Sequence, residues 1–162
     1  MTRAASVSRP KAIRLGLWHR RWVYTSLTTL WLSGMLWLGF HYFISVSTTF
    51  GSAPHSLERW WLRLHGLAVI ATLPVLGSLA VDHAARAWRL RKNRWLGAVL
   101  TVYVIWLALS GYALYYFVSD TNQTWLSLLH WIPGVGLVPV VAMHVHYGRR
   151  RGRHAVSSAG RL

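Results

Sequence analysis

The sequence predicts an all-α fold: an integral membrane four-helix up-down bundle with both termini cytoplasmic. Three observations carry this expectation. Residues 22–43, 64–81, 95–118 and 125–147 are apolar stretches separated by short polar or basic breaks, and a spanning helix needs about 20 apolar residues. The 162 residues are 54% hydrophobic yet carry 18 Lys+Arg against 3 Asp+Glu, a net charge of +15. The basic residues cluster between the apolar stretches, as in a membrane protein with basic margins. A nucleic-acid binder would gather them on one folded face, so no nucleic-acid partner is expected.

The same charges orient the bundle. Six lie in residues 1–21 (Arg3, Arg9, Lys11, Arg14, Arg20 and Arg21), five in 82–94 and five from Arg149 onward, sixteen of the eighteen. Cytoplasmic loops are enriched in Lys and Arg, which puts both termini inside a bacterial inner membrane and the loops 44–59 and 119–124 outside. Residues 1–21 read as a basic arm, 22–148 as the membrane domain and 149–162 as a basic tail. With no Cys in the chain, disulfides, iron–sulfur clusters, thiolate zinc sites and covalently attached haem are excluded.

The first helix, Trp22 to Phe43, has no charged residue and is too long for a signal-peptide core. Residues 44–59 are Ser/Thr-rich and broken by Gly51 and Pro54, which predicts an external loop with Ser56 as helix cap. The second helix carries Pro74, which should kink it. Asp82 to Arg94 reads as a short basic loop, and the third helix, Trp95 to Val118, is uncharged. Ser119-Asp120-Thr121-Asn122 is a turn and cap leading into the fourth helix.

The fourth helix is the centre of the functional reading. It carries His130 and His144, fourteen residues apart. At about 100° and 1.5 Å per residue both fall on nearly one face, roughly 21 Å apart along the axis. Ionisable groups within a span are costly and point to function. Two stacked haems explain the stripe, each held by imidazoles at equal depth on two helices. His65 on the second helix matches His130 for an outer haem. His144 pairs with His19 or His83 for an inner one. His65 and His83 stand roughly 27 Å apart on an ideal helix, a poor match to 21 Å unless Pro74 tilts or shortens it, and depth therefore favours His19. Arg59 and Arg63, the only basic residues expected outside, lie above His65 and suit haem propionates. His41, His55, His146 and His154 read as interfacial or tail residues, and the tryptophans as aromatic belts. The glycines read as close-packing points between helices, or as room for a flat porphyrin.

The stretch LLHWIPGVGLVPVVAMH, with His130, Gly134 and His144, resembles the prokaryotic di-haem cytochrome b superfamily. Members include formate dehydrogenase gamma subunits and nickel–iron hydrogenase cytochrome b subunits. WHRRW followed by Leu32-Ser33-Gly34, RLHG at 63–66, and Leu109-Ser110-Gly111 extend the likeness over residues 17–148. The resemblance implies His65 and His130 as ligands of an outer haem b, and His19 and His144 as ligands of an inner one. It further implies electron transfer between a periplasmic redox partner and membrane quinone, with the quinone near the inner haem. Two other readings stand beside it: a non-redox membrane scaffold, and a divalent-metal transporter using the same histidines.

Overall fold

The computed structural model describes residues 16–91 and 94–159, with side chains described up to Arg150. Four long helices make up nearly all of it. Helix α1 spans Leu17–Phe43. A short hairpin of β1 (Ser45–Thr48) and β2 (Gly51–Pro54) follows. Helix α2 spans Ser56–Arg89, α3 Arg94–Tyr116 and α4 Gln123–Ala159. Helices α1 and α2 pack as one hairpin, α3 and α4 as another, and α1 also touches α4. Helices α2 and α4 face each other with little close backbone approach.

Three of the helices, α2, α3 and α4 as far as Arg150, are long and apolar enough to cross a membrane. Helix α1 has the length but is diluted by Thr, Ser, Tyr and Trp. The burial pattern is inverted relative to a water-soluble bundle. Ser33 and Thr72 are each 1% exposed, whereas Ile70 is 67% and Val102 66% exposed. Apolar surface of this extent is unfavourable in water and neutral in lipid.

Several expectations need correcting at the element ends. Residues 44–59 do not form a plain loop. Val46 pairs with Ala53 in an antiparallel ladder, closed by Thr48 Oγ1–H donating to the Gly51 carbonyl at 2.7 Å. Gly51 has φ +112°, which a Cβ would disfavour. Helix α2 is capped by His55 rather than Ser56, the His55 Nδ1 accepting from the Leu57 N–H at 3.1 Å. Glu58 in the first turn meets His41 Nδ1 at 2.7 Å and ties the end of α1 to the start of α2.

The predicted loop 82–94 is mostly helix. Helix α2 passes through a π-helical segment, Leu79–Ala84, and resumes as Ala85–Arg89. Asp82 and His83 are therefore helical residues, and the described part of the connection is Leu90–Arg91, with Arg91 at φ +52°. Helix α1 begins at Leu17, which places His19, Arg20 and Arg21 on it; the rest of the expected arm lies outside the described residues. The turn at 119–122 is closed by Asn122, whose Oδ1 accepts from the Ser119 N–H at 2.7 Å.

Two prolines interrupt α4 without leaving its backbone unsatisfied. A proline frees the carbonyl four residues earlier, which is Leu129 for Pro133 and Val135 for Pro139. The Trp106 indole N–H donates to the Leu129 carbonyl at 3.0 Å, and the Trp31 indole to the Val135 carbonyl at 3.3 Å. Indoles from α3 and α1 thus supply the donors that the prolines lack, as an apolar surrounding would require. The Tyr103 hydroxyl adds a 2.7 Å bond to the Pro133 carbonyl. A Cβ at Gly136 would sit 2.6 Å from that hydroxyl, so alanine there would make the Tyr103 side chain shift.

Candidate functional site

The site is built from two pairs of histidines on the facing sides of α2 and α4. His65 and His130 have ring centroids 6.3 Å apart with planes at 84°. His83 and His144 have centroids 6.4 Å apart with planes at 77°. Among the described residues these are the two places where α2 and α4 present imidazoles to one another.

The first pair is held by serines. Ser33 Oγ–H donates to the Leu30 carbonyl at 2.9 Å, which leaves its oxygen free to accept from His65 Nδ1 at 3.1 Å. His65 Nδ1 also lies 3.0 Å from the Leu30 carbonyl, and a carbonyl only accepts. That fixes the proton on Nδ1 and leaves Nε2 as the lone-pair nitrogen. On the other hairpin, Ser110 Oγ–H donates to the Leu107 carbonyl at 3.3 Å and meets His130 Nδ1 at 3.0 Å. Neither Nε2 has a hydrogen-bond partner among the described residues.

Glycine sets the ring positions. A Cβ at Gly34 would stand 3.1 Å from His65 Cε1, and one at Gly111 would stand 3.0 Å from His130 Cε1. The expectation that glycines are helix packing points holds poorly elsewhere. A Cβ at Gly66, Gly77 or Gly134 would meet nothing within 4 Å.

The second pair is furnished differently. His83 Nδ1 and His144 Nδ1 are both buried without a hydrogen-bond partner. His19, favoured on sequence as the partner of His144, is engaged elsewhere. Its Nε2 lies 3.0 Å from Ser78 Oγ, which itself donates to the Val75 carbonyl at 2.7 Å. His19 thus ties α1 to α2, and the residue opposite His144 is His83. The physical reason is the helix that carries it. Pro74 and the π segment give α2 a geometry other than an ideal 18-residue α-helical run between His65 and His83.

Arg63 stacks its guanidinium over the Trp60 ring at 5.1 Å. The one ion pair among the described residues is His41–Glu58, so neither Arg59 nor Arg63 is neutralised by a carboxylate. His146 points away from the histidine pairs and lines a groove of ≈ 470 Å³ between α1 and α4, with Tyr24, Trp31, Val138, Val141 and Arg149. Sequence reasoning missed the roles of Ser33, Ser110, Trp31 and Trp106. The signal for the tryptophans was Pro133 and Pro139, each of which demands a donor for a carbonyl of known position.

An imidazole nitrogen binds a metal at about 2.0–2.1 Å, so rings facing each other at 6.3 and 6.4 Å are near enough that each pair would hold one metal between its nitrogens. Edge-to-face packing of aromatic rings spans similar distances. What sets these rings apart is chemistry: in the first pair each Nδ1 is held from behind, and Nε2 is left to bind. Among the described residues no group of three or more His, Cys, Asp or Glu comes together. Two imidazoles alone do not complete a tetrahedral zinc site; they do complete a metal already held in a plane by a macrocycle. No protein-family model, curated protein or solved structure matches this chain.

Proposed function

We propose that this chain is a membrane b-type cytochrome that passes electrons between a periplasmic redox partner and the quinone pool. The observation that carries the reading is the pair of facing imidazoles at 6.3 and 6.4 Å, both set between α2 and α4. His65 and His130 hold an outer haem b, and His83 and His144 an inner one. His83 takes the place that the sequence reading gave to His19, because His19 Nε2 is committed to Ser78. Bound there, haem supplies one-electron chemistry, its iron alternating between ferrous and ferric forms.

The chain's own residues supply the rest. Ser33 and Ser110 orient the outer imidazoles. Arg59 and Arg63, six and two residues before His65 on α2, offer cations to propionates, Arg63 from its seat on Trp60. The groove between α1 and α4 opens beside the inner pair, and its apolar wall with His146 and Arg149 suits a quinone and its protons. The resemblance to the di-haem cytochrome b superfamily implies the same outer ligands, His65 and His130, but gives the inner haem to His19 with His144, where His83 is the residue that faces His144. The bundle spans a bacterial inner membrane with both termini in the cytoplasm, as the distribution of Arg and Lys favours.

Replacing His130 by Ala tests this reading. The variant should insert normally and carry one haem where the parent carries two; a variant that keeps both would overturn it.

A further inference from the structure

We propose that Ser33 and Ser110 are positioning residues that fix the tautomer of the His65–His130 pair and bias that site toward ferric iron. The inference deepens the haem reading above and rests on it for its redox part.

A Leu-Ser-Gly triplet recurs in the two hairpins. Helix α1 carries Leu32-Ser33-Gly34 against His65 of α2, and α3 carries Leu109-Ser110-Gly111 against His130 of α4. The serine-to-histidine separation is 32 residues in one hairpin and 20 in the other. The geometry is nonetheless the same: Oγ to Nδ1 is 3.1 and 3.0 Å, and a glycine Cβ would approach Cε1 to 3.1 and 3.0 Å. Two hairpins with different connections have arrived at one local arrangement.

Each part of that arrangement has a chemical consequence. Ser33 is 1% and Ser110 9% exposed. A buried mid-helix serine gains nothing over alanine unless its hydroxyl is used. Here each hydroxyl spends its proton on the carbonyl three residues back, so it can only accept from the imidazole. The imidazole must then carry its proton on Nδ1 and offer Nε2 to a metal. Donation from Nδ1–H also makes the ring a more basic ligand, and a more basic ligand favours the higher charge on iron. The following glycine lets the ring lie against the helix backbone, which holds its plane. The His83–His144 pair has no such serine, so the effect belongs to one site alone.

Two measurements on the full chain test this. In the haem-free protein, imidazole ¹⁵N shifts should show the Nδ1–H tautomer at His65 and His130. Ser110→Ala should release His130 to a tautomer mixture and Ser110→Thr should retain the parent pattern, whereas Ser33→Ala should change the His65 ¹⁵N shifts by less, because the Leu30 carbonyl still accepts from Nδ1. This readout does not depend on haem, so it separates failure of the serine role from failure of the cytochrome reading. In the haem-loaded protein, potentiometric titration of the double Ala variant should move one midpoint upward and leave the other in place. A tenfold loss of ferric preference corresponds to an upward shift of about 59 mV for one electron. Loss of only one haem in that variant would also support the proposal. Unchanged ¹⁵N shifts together with two unmoved midpoints would overturn it.

Discussion

His83 faces His144 across the bundle with ring centroids 6.4 Å apart, while His19 donates Nε2–H to Ser78 on the neighbouring helix. The two histidines that compete for the inner site on sequence are therefore separated by what already occupies their nitrogens.

This separation makes a direct prediction. His83→Ala should reduce the haem count by one, and His19→Ala should leave it unchanged. The His19 variant should instead lose modest stability, about 1 kcal/mol for one side-chain hydrogen bond between α1 and α2. A pyridine haemochrome count on both variants decides the matter.

The ring planes within each pair stand at 84° and 77°. Axial imidazoles with nearly perpendicular planes give ferric low-spin haem a strongly anisotropic EPR signal, unlike the rhombic signal of parallel planes. If each pair holds a haem, the oxidised protein should show the anisotropic form at low temperature. Gly111→Ala, whose Cβ would press on His130 Cε1 at 3.0 Å, should change the signal of the outer haem only.

The bond from Trp106 to the Leu129 carbonyl compensates Pro133. Trp106→Phe should therefore cost about 0.5–1.5 kcal/mol by removing the one side-chain donor to that carbonyl. Pro133→Ala restores a backbone donor to that carbonyl. The cost of Trp106→Phe should be smaller in the Pro133→Ala background, as unfolding in detergent followed by circular dichroism would show. Equal costs in both backgrounds would mean the indole acts by packing alone.

The chain has no Cys, so single cysteines report topology without background. Cysteines at Ser47 and Asp120 should react with an impermeant maleimide in intact spheroplasts. A cysteine at Arg91 should react only after permeabilisation. The reverse pattern would invert the proposed orientation.

Much of this was legible before any coordinates. Apolar length marked α2, α3 and α4, and the stripe of His130 and His144 followed from helical periodicity. The opposition of His65 to His130 was readable from equal depth. The π segment at Leu79–Ala84 was not, because nothing in its composition distinguishes five-residue from four-residue hydrogen bonding. Without it, Asp82 and His83 fell within the expected basic loop. The hairpin at 45–54 was hidden for a related reason: its Ser, Thr and Gly residues suit a loop equally well. Ser33 and Ser110 were visible as a recurring Leu-Ser-Gly, but their partners belong to other helices, and only packing brings those together. The tryptophans were expected at the membrane interfaces as a class, and two of them instead serve carbonyls freed by prolines midway along α4.

The central claim is that two pairs of facing imidazoles hold two haems. The most direct measurement is a dithionite-reduced minus oxidised spectrum of the purified, haem-supplied full chain, with a pyridine haemochrome count per chain. The account predicts two b-type haems. A colourless protein that takes up no haem would contradict it and favour a membrane scaffold in which the histidines only pack.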